Sequence, residues 1–337
     1  MLWVDTTRIL AIFAVVLLHV AACVVSSPEQ FGSAPWWICN AYNACGRWCV
    51  PAFVMLSGVL LLADSKAESL SVFYRKRASR LLLPLLFWSL FYLAWTYLRG
   101  RLLGEAVTLS SLGGLLLAGH PYYHMWFLYM LIGLTFATPF LRILVRNLAS
   151  RDLALFLVAT FCMSAVNSLY SNFCFRGKPL FIFWFLSYLP YFVLGHVIRK
   201  TAWAPSRALA LLVFVLSALC TAGGCFAIGR AYGLEKGLYF YSPLSVTIIP
   251  LSISLMFLLK DCPVPLVNAS FTHTVAGLVL GVYLLHPILL DGLRYLGVSA
   301  LRGTPLLTVP LIALPVFAGA AGITWVAQRI PYLRRTL

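Results

Sequence analysis

The sequence is poor in charge, and poorest in negative charge. Nine Asp and Glu stand against 25 Lys and Arg in 337 residues, and the charged types together make up 10% of the chain. A soluble domain carries about 25%. Hydrophobic residues reach 62% and mean hydropathy +0.92. One aqueous core cannot enclose that much apolar surface, so the solvent of this chain is a bilayer. Signature motifs are missing too. H-E-x-x-H, the Walker A loop, G-x-S-x-G and G-x-G-x-x-G do not occur, which leaves metalloprotease, P-loop NTPase, hydrolase and dinucleotide readings without support. The nine cysteines contain no C-x-x-C pair, and no metal site is expected. The net charge of +16 falls in short stretches between apolar runs, with no zinc-finger, helix-turn-helix or RRM pattern, so nucleic acid is not an expected partner. The carboxylates nearest the apolar runs are Asp5, Asp152, Asp261 and Asp291, fewer than a cation-coupled transporter buries.

What is present is a succession of apolar runs. Taken as windows of about 17–22 residues bounded by charges or turn residues, they lie near 6–26, 45–63, 81–98, 122–141, 153–170, 180–198, 208–228, 243–259, 275–293 and 305–327. The expected fold class is all-α, a polytopic membrane helix bundle of about ten transmembrane helices, read as a single domain over residues 1–337. The connection from Arg99 to Pro121 is long and partly apolar, which suggests a re-entrant or interfacial helix. Pro243 and Pro250 predict a kinked eighth span. Counted by loop, 16 of the 25 Lys and Arg fall on the side of the N-terminus and 9 on the other, so both termini are expected in the cytoplasm. The first run lacks an A-x-A-like cleavage site and reads as a retained span. Cys39, Cys45, Cys174 and Cys225 fall on the expected outer side, where disulfides are possible without a pairing being legible.

The residues that stand out are polar groups inside apolar helices. Arg8 and His19 are eleven residues apart in the first run, three turns plus roughly 20°, so they share one face about 16 Å apart. Such groups need a protein interior or a water-filled cavity; otherwise Arg8 snorkels and His19 makes one interhelical hydrogen bond. Arg75, Lys76, Arg77 and Arg80 form a basic loop before the third span, suited to phosphates or to anionic lipid. In the second span Ser57-Gly58 reads first as a packing pair, and Arg47 is placed at its outer end. His120 and His124 stand beside Tyr122, Tyr123, Trp126 and Tyr129, where an interfacial belt explains the rings and leaves the histidines unexplained. His286-Pro287 lies inside the ninth span with Asp291 five residues on, and Pro287 predicts a local kink. His196 and His273 read as structural.

Five stretches, WVDTTRILAIFAVVLLH, VPAFVMLSGVLL, YRKRASRLLLP, HMWFLYMLIG and GVYLLHP, occur in this order over residues 3–287. Together they resemble the acyltransferase-3 membrane acyltransferases. Among these the chain is most similar to stand-alone O-acetyltransferases of the enterobacterial-common-antigen type. The resemblance implies transfer of an acetyl group from cytoplasmic acetyl-CoA to a hydroxyl of an envelope glycan or lipid-linked sugar, at the bacterial inner membrane. Arg8 and His19 match the family's Arg-x10-His pair, Arg77 and Arg80 its basic loop, Ser57-Gly58 its Ser-Gly motif, and His124 and Trp126 its His-x-Trp-Phe motif. The sequence departs from the family at Thr6-Thr7 and at Val59. The reading assigns His19 as general base or transient acyl carrier, with Arg8, His124, His286 and Arg47 as further catalytic candidates. Arg8, Arg75, Lys76, Arg77, Arg80 and Ser57 are the candidates for holding acetyl-CoA. The competing expectation is a glycan or lipid transporter that uses the same polar path without chemistry.

Overall fold

A computed structural model describes residues 1–63, 69–173, 181–262 and 264–337, and among these there is helix and no strand. The first helix, α1 (Leu2–Val25), is followed by α2 (Ala34–Gly46) and α3 (Cys49–Leu61). Next come α4 (Leu70–Leu102), α5 (Leu109–Leu117), α6 (Trp126–Asn147), α7 (Ser150–Phe173) and α8 (Trp184–Lys200). The chain continues with α9 (Arg207–Tyr232), α10 (Leu234–Gly237), α11 (Ile248–Lys260), α12 (Ala269–Ala276), α13 (Val279–Tyr295) and α14 (Pro305–Ala327).

Eight of the helices are long and apolar enough to cross a membrane, with α2 and α3 acting as one 28-residue span from Ala34 to Leu61. A ninth crossing is the pair α12–α13, bent by 58°. The bend lies at Gly277-Leu278, between the two helices, and α13 runs on through Pro287. The kink expected beside His286 is therefore displaced upstream. The expected eighth span is the 13-residue α11, about 20 Å long at 1.5 Å per residue and shorter than a hydrocarbon core of about 30 Å. Pro243 precedes α11 and Pro250 sits in its first turn, where the missing N–H is not needed, so prolines that predicted a kink instead mark where the helix starts. In the long connection, α5 is a nine-residue helix closed by a capping box between Thr108 and Ser111.

The bundle is wound around α1, the most enclosed of the spans, which packs on α2, α3, α12, α13 and α14. The closest pairing is α3 with α8. It depends on two glycines: a Cβ on Gly58 would sit 1.8 Å from the Phe192 carbonyl oxygen, and one on Gly195 1.9 Å from that of Met55. Helices in lipid associate by such close packing, because tails are as apolar as the side chains they would replace. Cations satisfy free carbonyls at one end of the bundle. Arg142 donates to Leu61 (2.8 Å), Arg199 to Val59 (2.9 Å) and Lys260 to Ile198 (2.6 Å), each at the last turn of a helix, where carbonyls lack helical partners. Cys39, Cys45 and Cys225, expected as possible disulfide partners, are free thiols; Cys174 lies outside the described residues.

Candidate active site

Three imidazoles that are far apart in sequence meet inside the bundle. His19 from α1 stacks on His286 from α13 with ring centroids 5.2 Å apart and 26° between planes. His124, just before α6, meets His286 edge-on at 5.6 Å. His286 is fully buried, and its Nδ1 lies 3.0 Å from the Val282 carbonyl oxygen. A carbonyl only accepts, so Nδ1 carries the proton and Nε2 the lone pair of the neutral ring. His124 is 3% exposed, and aromatic rings hold it in place: Tyr92 at 4.9 Å and Tyr283 at 5.1 Å. The Tyr283 hydroxyl also donates to the His124 carbonyl, and that of Tyr92 to Leu284 in α13.

Arg47 completes the cluster from the α2–α3 junction. The sequence places it at the outer end of a span that starts near residue 45; instead α2 extends that span back to Ala34, so Arg47 lies mid-span. Its Nη2 donates to Asn43 Oδ1 at 2.6 Å, and its guanidinium lies 4.6 Å over the Tyr241 ring. The Tyr241 hydroxyl donates to Asn40 Oδ1 (2.6 Å), and Asn40 to the Ala222 carbonyl (3.1 Å). The charge is thus held by neutral groups, with no carboxylate among the described residues paired to it. Arg47 Nε, both ring nitrogens of His124 and His286 Nε2 are buried without a hydrogen-bond partner among the described residues. Buried polar atoms are rarely left so, and the gathering of four at one place makes this the candidate ligand site.

Asp291 supports the cluster from beneath. Its Oδ2 accepts from the Tyr122 hydroxyl and from Trp95 Nε1 (3.0 Å), while Oδ1 faces Arg294 Nη1 at 3.4 Å. Tyr122 stacks on Tyr92 at 4.6 Å, so the carboxylate orients the rings that hold His124. Arg294 also reaches the His19 carbonyl at 3.4 Å.

Two neighbouring cavities lie here, and the first is lined by the cluster. One, of about 210 Å³, is lined by His19, His124, Arg47, Trp126 and Cys49 among others. The other, of about 260 Å³, is lined by Arg8, Ser57, Leu81 and Leu280. Phe53, Phe127 and Tyr283 line both and form the partition between them. A third hollow of about 290 Å³, lined by Tyr74, Arg77, Thr135 and Phe136, shares Leu81 with the Arg8 cavity. Three adjacent hollows thus lie in order, from that of Arg77 across Leu81 to that of Arg8, and across the partition to that of His19.

The sequence-derived candidates are therefore divided. His19, His124, His286 and Arg47 come together; Arg8 and Ser57 share the neighbouring cavity, with Ser57 Oγ bonded back to the Phe53 carbonyl at 2.8 Å. The basic stretch expected as a loop is instead helical, the N-terminal part of α4. Arg77 turns into the third hollow, over the Phe73 ring at 5.5 Å, while Arg75, Lys76 and Arg80 are exposed on the helix surface. His120 stands apart against Trp184 at 4.6 Å. His273, at one end of the bundle, faces Asp5 at 3.4 Å.

Sequence does not single out the partition residues, and it reads Tyr123, whose ring is 4.9 Å from that of His19, as part of an interfacial belt. Phe53 is one turn before Ser57, Phe127 three residues after His124 and Tyr283 three before His286, so helical spacing from the polar residues was the available signal.

A family model described as an acyltransferase domain matches residues 1–328, nearly the whole chain. The chain belongs to the acyltransferase-3 family. No curated protein and no solved structure matches it. Its helical bundle, with up to nine spans, and its family membership together make it a membrane acyltransferase. Chemically, a neutral imidazole can take up a proton and a guanidinium can stabilise a negative charge. Among the described residues no group of three His, Cys, Asp or Glu is arranged to hold a metal ion.

Proposed function

We propose that this acyltransferase carries an acetyl group from cytoplasmic acetyl-CoA to a hydroxyl of an envelope glycan or lipid-linked sugar, in a bacterial cytoplasmic membrane. The observation that carries the reading is the pair of cavities divided by Phe53, Phe127 and Tyr283, with Arg8 lining one and His19, His124 and Arg47 the other. Arg77 receives the phosphates of the nucleotide, with Arg75, Lys76 and Arg80 supplying charge nearby on the same helix. The pantetheine arm follows Leu81, Arg8 and Ser57 and brings the thioester to the partition. Arg8 and His19 lie about 16 Å apart along α1, a distance suited to that extended arm.

On the far side, His19 removes the proton from the sugar hydroxyl as its oxygen attacks the thioester carbonyl. The carbonyl electrons move onto oxygen, where the unpartnered Nε–H of Arg47 stabilises the oxyanion. Collapse forms the ester and breaks the C–S bond, and the proton on His19 passes to the departing thiolate to give free CoA. His286 stacks on His19 and His124 flanks the pair, so both shape the space in which the hydroxyl and carbonyl meet. Water is limited by the aromatic partition, which favours transfer over hydrolysis.

The test is acetyl transfer by full-length protein in nanodiscs, with radiolabelled acetyl-CoA and a membrane glycan extract. His19→Ala should lose roughly 10²–10⁴-fold in rate, the contribution of general-base catalysis, while still binding acetyl-CoA. His19→Gln, which keeps size and polarity, should fare no better. Near wild-type transfer by either variant sinks the mechanism. Glycan movement that proceeds without acetyl-CoA would instead support transport.

A further inference from the structure

One cavity, larger than those lined by the candidate catalytic residues, lies outside that set. It is a cleft of about 490 Å³ formed by the C-terminal part of α7, the N-terminal part of α8 and the segment 235–244. That volume lies within the range of specific small-molecule sites, about 300–1,000 Å³. Although α7 is among the least enclosed spans, the wall it gives the cleft is polar: Asn167, Ser168, Ser171 and Asn172, faced by Ser187 from α8 and Ser242. A cleft for acyl tails would be lined with Leu and Val. Aromatic rings form most of the rest, with Trp126 beside Tyr188 at 5.7 Å and Trp184 at 6.3 Å, and Leu238 and Leu244 are the two aliphatic side chains in the lining. Alternating hydroxyls and amides with ring faces is the surface that a pyranose demands, since its hydroxyls need hydrogen-bond partners and its C–H face packs on aromatic carbon.

Charge narrows the ligand. Among the described residues Glu235 carries the one charged side chain in the lining, and Lys236, whose Nζ donates to the carbonyl of the lining residue Asn172, offsets it. The carboxylate can accept from sugar hydroxyls, and the pair leaves no excess positive charge for a phosphate or uronate group. Position ties the cleft to the chemistry, because Trp126 lines both this cleft and the cavity that holds His19, His124 and Arg47. A chain seated in the cleft would present its end past Trp126 to the imidazoles.

We propose that this cleft is the acceptor site and that it binds a neutral oligosaccharide, presenting one hydroxyl past Trp126 to the His19 cavity. The assignment rests on the acyl-transfer reading for its purpose, but sugar binding is measured separately from the donor. Saturation-transfer NMR on the full chain in nanodiscs would use diacetylchitobiose, maltose and lactose as neutral probes and a hyaluronan disaccharide as the acidic one. At least one neutral disaccharide should bind saturably by about 10 mM, a weak affinity fitting a fragment of the acceptor. Ser187→Phe, which fills the cleft, should weaken that binding about tenfold or more, a loss of about 1.4 kcal/mol, and leave acetyl-CoA binding unchanged. Should Ser187→Phe fail to fold, Glu235→Gln at an exposed position replaces it; it should lower neutral-sugar affinity and admit the acidic probe. No neutral disaccharide binding to the wild type, or binding that neither variant alters, overturns the proposal. Sugar binding that behaves as expected in a protein that ignores acetyl-CoA would overturn the donor reading and leave the cleft assignment standing.

Discussion

Gly58→Ala separates the two roles folded into the Ser57-Gly58 pair. An added Cβ would stand 1.8 Å from the Phe192 carbonyl oxygen, and ordinary contact begins at 3.4 Å, so α3 and α8 must part by about 1.6 Å at that point. The obstacle is backbone and has no rotamer to change. Overpacking a well-filled interior costs about 1–3 kcal/mol, and this overlap belongs at the upper end or beyond. The same displacement carries Phe53 of the partition and Ser57, which lines the Arg8 cavity. Misplacing a reacting group by about 1 Å can cost 10²-fold in rate. The expected result is a lower melting temperature in detergent and about a hundredfold loss of acetyl transfer in the surviving folded fraction. Gly223→Ala is the control: nothing lies within 4 Å of its Cβ, and Gly to Ala in a helix is stabilising by roughly 0.5–1 kcal/mol. Ser57→Ala loses only a bond to its own helix and should keep the wild-type melting temperature. If Gly58→Ala melts with Gly223→Ala and the wild type, the close packing of α3 on α8 is wrong.

Arg77→Ala should raise the KM for acetyl-CoA about tenfold or more, the loss of a charge-assisted phosphate contact, whereas Arg80→Ala, on the exposed face of α4, should change it by less than about threefold; equal effects would undo the assignment of the third hollow to the nucleotide. Asp291→Asn replaces an acceptor of two hydrogen bonds with a group that also donates, so the rings around His124 should lose their fixed setting. Its kcat should fall by at least tenfold with KM for acetyl-CoA unchanged, about 1.4 kcal/mol of transition-state stabilisation, and a change confined to KM would place Asp291 in donor binding instead.

Much of the architecture was legible because it follows from transfer free energy. Apolar length alone located the long spans, since a backbone in lipid must satisfy its own hydrogen bonds and does so as helix. The errors fall where helix limits depend on neighbours. The start of the second span at Ala34 moved Arg47 from an end to the middle, because the polar Asn40 and Asn43, which read as loop, are buried and bonded inside the bundle. Similarly, Pro250 begins a helix that composition would have kinked, and the expected basic loop continues α4 as helix because nothing in FYRKRASR opposes it.

For the site, the sequence by itself determined which ionisable groups inside apolar runs are too costly to leave in lipid: Arg8, His19 and His286. That follows from residue type and depth in an apolar run, both local properties. It also placed Arg8 and His19 on one face of α1, because helical period is local. Only the tertiary structure decided which of those groups meet. His19, His124 and His286 come from three segments spread over 267 residues of the chain, and their contact depends on how α1, α6 and α13 cross. The partition of Phe53, Phe127 and Tyr283 is likewise a product of three helices, each contributing one ring that by sequence is an ordinary apolar residue. Cavities are what packing leaves unfilled, and no pattern along a single helix encodes the shape of the space between several.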